Sequence, residues 1–137
     1  MRIMVDTNIL LSALVFGSKR MASILERVGE EYTMVICTHI IDEFRKVVTE
    51  KAPKYNTVVD TLFSRLPYEL VYTPQWQENM PDLRDEKDKP ILAAAIAADV
   101  DMIITGDKDF LESNIERPEV ISHLDFWDRY FSHPALS

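Results

Sequence analysis

Along the chain, short continuous apolar runs alternate with longer stretches that are apolar on one side only. Arg2 to Val5, Tyr32 to Cys37, Glu69 to Tyr72 and Met102 to Thr105 are runs of the first kind, and Glu119 to Ile121 is a weaker fifth. Continuous apolarity, as opposed to strict alternation, predicts strands buried on both faces, as in a parallel sheet. Between these runs, apolar residues recur every three or four positions, the spacing of an amphipathic helix. Such sets are Ile9, Leu10, Ala13 and Leu14; Met21, Ile24, Leu25 and Val28; and Ile40, Ile41, Phe44, Val47 and Val48. Further along come Val58, Val59, Leu62, Phe63 and Leu66, then Ile91, Leu92 and Ile96, and finally Leu124, Phe126, Trp127, Tyr130 and Phe131.

The punctuation agrees with this order. Asp6, Thr7 and Asn8 offer caps for the first helix, Thr38 for the third and Ser122 for the last. Pro53 and Pro67 stop the third and fourth helices, because a proline disfavours helix in the residue before it. Pro90 falls in the first turn of the helix that runs to Ala98, where its missing N–H costs nothing. Phe16 to Arg20 and Thr73 to Pro81 have no periodicity and read as loops, and the tail from Ser132 reads as frayed. Strands alternating with helices predict an α/β fold, a three-layer α/β/α sandwich with a mainly parallel sheet of about five strands. No repeat or linker divides the chain, so residues 1–137 are expected to form a single domain.

Acidic residues cluster at the boundaries of these elements. Asp6 closes the first strand, Asp85 and Asp88 open the fifth helix, and Asp107 and Asp109 follow the fourth strand. Right-handed crossovers bring the carboxyl ends of parallel strands to one rim, the place where open α/β sheets bind ligands. Glu43 joins them if the third helix turns its flank toward that rim, since it lies beside the apolar stripe of Ile40 and Val47. Each acid has an ordinary reading as well. Glu43 is otherwise a solvated helix residue, Asp85 and Asp88 complement a helix dipole, and Asp107 and Asp109 are turn residues after Gly106. Carboxylates brought together repel unless a proton or a cation joins them, and hard cations such as Mg²⁺ take carboxylate oxygens.

Composition narrows the classes. The chain has 137 residues, 47% hydrophobic and 28% charged, a globular balance. Three glycines leave no Gly-rich phosphate loop, and the single Cys37 permits no internal disulfide. No apolar stretch approaches the ~20 residues of a membrane span, and a soluble, cytoplasmic protein is the expectation. A net charge of −8 opposes tight non-specific binding of nucleic acid, unless bound cations reverse the sign locally. Lys19, Arg20, Arg45 and Lys46 are the candidate phosphate contacts, each with solvated surface charge as the alternative. His39, His123 and His133 share no metal-binding spacing, Cys37 reads as buried filler, and Trp76 as loop packing.

Val5-Asp6-Thr7-Asn8, a glutamate in the helix after the second strand, Asp88 before Ile-Leu-Ala-Ala-Ala, and Ile104-Thr105-Gly106-Asp107-Lys108-Asp109-Phe110 together resemble the PIN domain. The resemblance covers nearly the whole chain, and its last motif is the most specific. It implies a metal-dependent endoribonuclease, the toxin of a toxin–antitoxin pair, acting on RNA and held by an antitoxin on a separate chain. It also implies that Asp6, Glu43, Asp88 and Asp107 hold Mg²⁺ or Mn²⁺, with Asp109 a fifth ligand or supporting partner. Asn8, Thr105 and Asp85 would act from behind these ligands, and Asp85 competes with Asp88 for the third carboxylate position. Family members often pair, so a homodimer is a further expectation.

Rival functions fit less well. A haloacid-dehalogenase-type phosphatase needs an acid two residues after the first Asp, where this chain has Asn8. A phospho-receiver needs an acidic pair after the first strand and a lysine after the last, and neither is present. A PIN-like binding scaffold without nuclease activity is the remaining alternative.

Overall fold

Ile3, Met4 and Val5 are fully buried, and this places β1 (Arg2–Val5) at the centre of a sheet. In the computed structural model, which describes residues 1–131, four more strands flank it: β2 (Thr33–Cys37), β3 (Tyr68–Val71), β4 (Met102–Thr105) and β5 (Glu119–Ser122). All pairings are parallel, in the order β3-β2-β1-β4-β5. Met4 lies between Val35 of β2 and Ile103 of β4. β2 and β4 are buried on both faces, as their unbroken apolar runs predict.

The chain moves outward from β1 through β2 to β3, then returns to the other side of β1 for β4 and β5. Right-handed crossovers therefore put α1 (Thr7–Leu14), α2 (Lys19–Glu31), α3 (Thr38–Lys51) and α4 (Val59–Ser64) on one face. They put α5 (Lys89–Ala97) and the single turn α6 (Lys108–Leu111) on the other, and the last helix, α7 (His123–Phe131), packs against α2. This reversal creates a switch point between β1 and β4, where doubly wound sheets open a crevice at their carboxyl ends. The three-layer parallel architecture is the expected one.

Several local expectations differ from the structure. The predicted loop at Phe16–Arg20 ends earlier, because the Ser18 hydroxyl accepts from the Met21 N–H at 3.2 Å and so starts α2 at Lys19. Thr38 does not cap α3. Cys37 holds that position without a side-chain bond, and the Thr38 hydroxyl instead donates to Thr73 at 3.1 Å. The third strand begins one residue earlier than expected, and Tyr72 is left outside it, 84% exposed. Ile96 belongs to the exposed side of α5, where Ile91 and Leu92 carry the burial.

The aromatics of the last helix form only part of the core. Phe126 is buried, whereas Trp127 and Phe131 stack on each other at 4.2 Å over the flank of α2. Arg20 and Arg27 lie over their rings at 5.0 and 4.2 Å. Ser122 does cap that helix, accepting from Asp125 N–H at 3.0 Å. The tail from Ser132 lies outside the described residues. No single helix among the described residues is long and apolar enough to cross a membrane.

On α3 the inward stripe is Ile40, Phe44 and Val48, and Phe44 meets Phe63 of α4 edge to face at 4.9 Å. That packing fixes the rotation of α3. Glu43, Lys46, Val47 and Glu50, three and four residues apart, then share the flank that looks toward the carboxyl ends of β1 and β4.

Candidate active site

Asp6 leaves the end of β1 and is held by its chain neighbour Thr7 and by the adjacent strand. Its backbone N–H donates to the Ile104 carbonyl at 2.9 Å, extending the ladder by one bond. Of its carboxylate oxygens, Oδ1 accepts from the Thr7 N–H and Oδ2 from the Thr105 hydroxyl, both at 2.6 Å. The same hydroxyl accepts from the Asp107 N–H at 3.0 Å, so one threonine at the end of β4 positions two acids. Asp107 caps α6, its Oδ1 accepting from the Asp109 and Phe110 N–H groups at 2.9 and 3.2 Å.

The third approach comes from across the crevice. Asp85 accepts from the Lys87 N–H at 3.0 Å and starts a short 3₁₀ turn, Glu86–Asp88, that leads into α5. The turn carries Asp88 to a position only 3% exposed, where Oδ2 finds no hydrogen-bond partner among the described residues. Asp6, Asn8, Glu43, Lys46, Lys87, Asp88 and Asp107 line one cavity of about 260 Å³ at the switch point.

Electrostatics show how closely these acids approach one another. Burial pushes the Asp6 carboxyl up to about 6, against the Thr105 and Thr7 hydrogen bonds, and the charges of Glu43 and Asp107 push in the same direction as burial. Asp88 is pushed up to about 7 by burial first, then by the charges of Asp107, Asp6, Asp85 and Glu43. Two buried carboxylates facing two more, with a buried oxygen lacking any donor, form a donor set suited to a hard divalent cation. A second grouping shares Asp107: Asp85, Asp107 and Asp109 each place one oxygen within 4.8 Å of the others. Its charge is partly offset by Arg84, 3.8 Å from Asp109 and 3.9 Å from Glu112.

The sequence that builds this rim matches the pattern of the PIN domain over residues 2–109. The chain belongs to the PIN domain family. Solved structures share the fold of this PIN domain. VapBC2 from Rickettsia felis, bound to a DNA fragment from its promoter, is 18% identical, with 88% of this chain and 97% of that chain covered and a TM-score of 0.65. FitAB bound to the IR36 DNA fragment is 15% identical, over 88% and 94% of the two chains, with a TM-score of 0.61. VapC20 from Mycobacterium tuberculosis, described as a sarcin–ricin loop cleaving toxin, is 9% identical over 78% and 91%, with a TM-score of 0.56. Among curated proteins, no sequence matches the chain significantly.

The PIN domain brings together most of the residues singled out in the sequence. Asp6, Asn8, Glu43, Lys46, Asp88 and Asp107 face the cavity, and Thr105 stands behind Asp6. Asp85 and Asp109 stand beside it, in the second grouping. Three basic candidates are elsewhere. Lys19 and Arg20 open α2 away from the cavity, with Arg20 over Trp127, and Arg45 pairs with Asp60 of α4. Lys87 and Glu50 were not anticipated. Glu50 was legible, being seven residues after Glu43 on the same helix face. Lys87 was not, because its direction depends on the 3₁₀ turn that Asp85 starts.

Replacing Thr105 tests the bridge between the two acids. Thr105→Val keeps the shape but removes the donor to Asp6 and the acceptor for Asp107, and the expected loss of stability is about 1.5–3 kcal/mol, as for a buried hydrogen bond to a charged group. Thr105→Ser should recover most of it. Urea melts at neutral pH decide the point, and identical midpoints for wild type and Thr105→Val would show that the bridge carries no weight.

Proposed function

We propose that this PIN domain is a divalent-cation-dependent endoribonuclease and the toxin of a toxin–antitoxin pair. The observation that carries the reading is the meeting of Asp6, Glu43, Asp88 and Asp107 around one cavity, with Asp88 Oδ2 buried and without a donor among the described residues. These four would hold Mg²⁺ or Mn²⁺, with Asp109 and Asp85 contributing through the grouping that shares Asp107. A cation held there supplies Lewis-acid activation of water and screening of the phosphodiester charge.

The chain's own side chains do the rest. Asp6 is oriented before substrate arrives, since both its oxygens are fixed by hydrogen bonds. Asn8, exposed at the rim, offers an amide to a water or to substrate. Lys46 and Lys87 supply positive charge for backbone phosphates in a domain that is otherwise acidic. Cys37 is fully buried and burial pushes its thiol up, so it is unsuited to attack, and water is left as the nucleophile. The toxin reading draws on the fold shared with VapC20, a sarcin–ricin loop cleaving toxin, and the antitoxin would be a separate chain.

Purified protein incubated with a mixed single-stranded RNA pool is expected to cut it internally in Mn²⁺ or Mg²⁺, to stop in EDTA, and to resume when Mn²⁺ is restored. Cleavage that persists in EDTA, or RNA left intact with either cation, would refute the assignment.

A further inference from the structure

A second cavity, of about 360 Å³, adjoins the acidic one and shares Glu43, Lys46 and Lys87 with it. His39 at the start of α3 and Pro90 in the first turn of α5 form its remaining ring-bearing walls. Its size falls within the ~300–1,000 Å³ range of small-molecule sites. From the cavity that holds the carboxylates, the shared lysines lead directly into it.

Three features describe what it would bind. First, Lys46 and Lys87 are both exposed and, among the described residues, form no ion pair, although acids outnumber bases in the chain. Two uncompensated ammonium groups, one on each wall of a crevice, suit a phosphate between them. Second, three acids share that rim: Glu86 is bonded to Lys89 at 2.7 Å, Glu43 also lines the carboxylate cavity, and exposed Asp42 is left as the opposing charge that belongs to this cavity alone. Third, His39 is anchored but unspent. Its N–H donates to the Thr73 hydroxyl at 2.9 Å, which ties the helix start to the segment after β3. Its Nε2 is buried, has no hydrogen-bond partner among the described residues, and stands 4.0 Å from Glu43 Oε2. A part-exposed ring beside a proline on the wall of a crevice offers a face on which a nucleobase stacks.

We infer that this cavity is a subsite for the nucleotide flanking the cleaved bond of single-stranded RNA, its phosphate on Lys46 and Lys87 and its base against His39 and Pro90. The inference rests on the nuclease reading for the identity of the cleaved bond, but the subsite binds RNA whether or not cleavage follows. A base paired in a duplex could not reach the His39 ring, so the subsite selects unpaired RNA.

Binding of a fluorescein-labelled, mixed-sequence single-stranded RNA to wild type, Lys87→Ala, Lys87→Arg and His39→Ala, measured by anisotropy in EDTA across a salt series, tests it. Lys87→Ala should weaken binding several-fold and reduce the log–log salt slope by about 0.7, the value for one phosphate contact on a single strand. Lys87→Arg should restore both. His39→Ala should weaken binding about tenfold, as loss of a base stack does, with the slope unchanged. In Mn²⁺ the same changes should appear in KM rather than kcat. Wild type that cleaves RNA while both alanine variants bind it normally overturns the subsite and leaves the nuclease intact. Wild type that binds RNA through Lys87 and His39 but never cleaves it upholds the subsite and overturns the nuclease. Wild type that does neither overturns both, and RNA duplex bound as tightly as single strand overturns the subsite alone.

Discussion

Asp88→Asn is expected to reduce RNA cleavage in Mn²⁺ by on the order of 10³-fold, the loss of ~4 kcal/mol of transition-state stabilisation, while making the cation-free protein more stable. The two effects share one cause. Asparagine keeps the size of the side chain and removes the charge that would hold the cation. The same charge is 3% exposed, lacks a donor at Oδ2, and faces Asp6, Asp107, Asp85 and Glu43. Removing it relieves repulsion in the empty crevice. Asp6→Asn should lose activity similarly but gain less stability, because its carboxylate has the Thr105 hydroxyl and Thr7 N–H bonds to lose. Turnover on RNA, together with urea melts in EDTA, separates a lost ligand from a damaged fold. A variant that is inactive because it melts early would refute this account, and so would Asp88→Asn with wild-type turnover.

The second large effect is a dependence of stability on pH in the absence of divalent cation. A carboxyl raised by folding binds its proton more tightly in the native state than in the unfolded chain. Stability then falls as pH rises, beginning at the unfolded value and ending above the folded one. For Asp6 that window runs from 3.8 to about 6, and for Asp88 from 3.8 to about 7. The loss from Asp6 alone is on the order of 3 kcal/mol. In EDTA the urea midpoint should therefore drop between pH 5 and pH 8, contrary to the acid lability of most domains. Asp88→Asn should flatten the drop. Mn²⁺ at a hundred times its dissociation constant should return about 2.7 kcal/mol at pH 8 and much less at pH 5, where protons compete for the same oxygens. Equal midpoints at the two pH values in EDTA would mean that these acids are not crowded as described.

What the sequence disclosed and what it withheld have physical reasons. Strands β1, β2 and β4 were legible because burial on both faces demands unbroken apolar runs. The acids at their ends stood out because polar residues there interrupt those runs. The contact between Asp6 and Thr105 was not legible as a bond, since it spans 99 positions and exists only because β1 and β4 are neighbours. Thr38 looked like a cap because threonine caps helices well, but its hydroxyl found Thr73, thirty-five residues on, and that tertiary contact prevailed. Arg45 and Lys46 are adjacent in sequence yet point about 100° apart around the helix. One pairs with Asp60 and the other faces the cavity, a difference decided by how Phe44 packs. Asp85 and Asp88 hold different places in the structure. Asp85 starts the turn that delivers Asp88, and each joins its own grouping around Asp107.

The segment from Tyr72 to Asp85 has a consequence for how the site is assembled. It is pinned by Thr73 at one end and by buried Leu83 near the other, with Trp76 beneath the Lys89 ammonium between them. No strand ladder holds it, so it can open locally without disturbing the sheet. Such opening would reach as far as Asp85, whose side chain starts the turn that leads to Lys87 and Asp88, while Asp6 and Asp107 stay at the ends of β1 and β4. A ligand that spans the crevice binds neither an opened segment nor the unfolded chain, so it steadies this least regularly bonded stretch and the sheet behind it together.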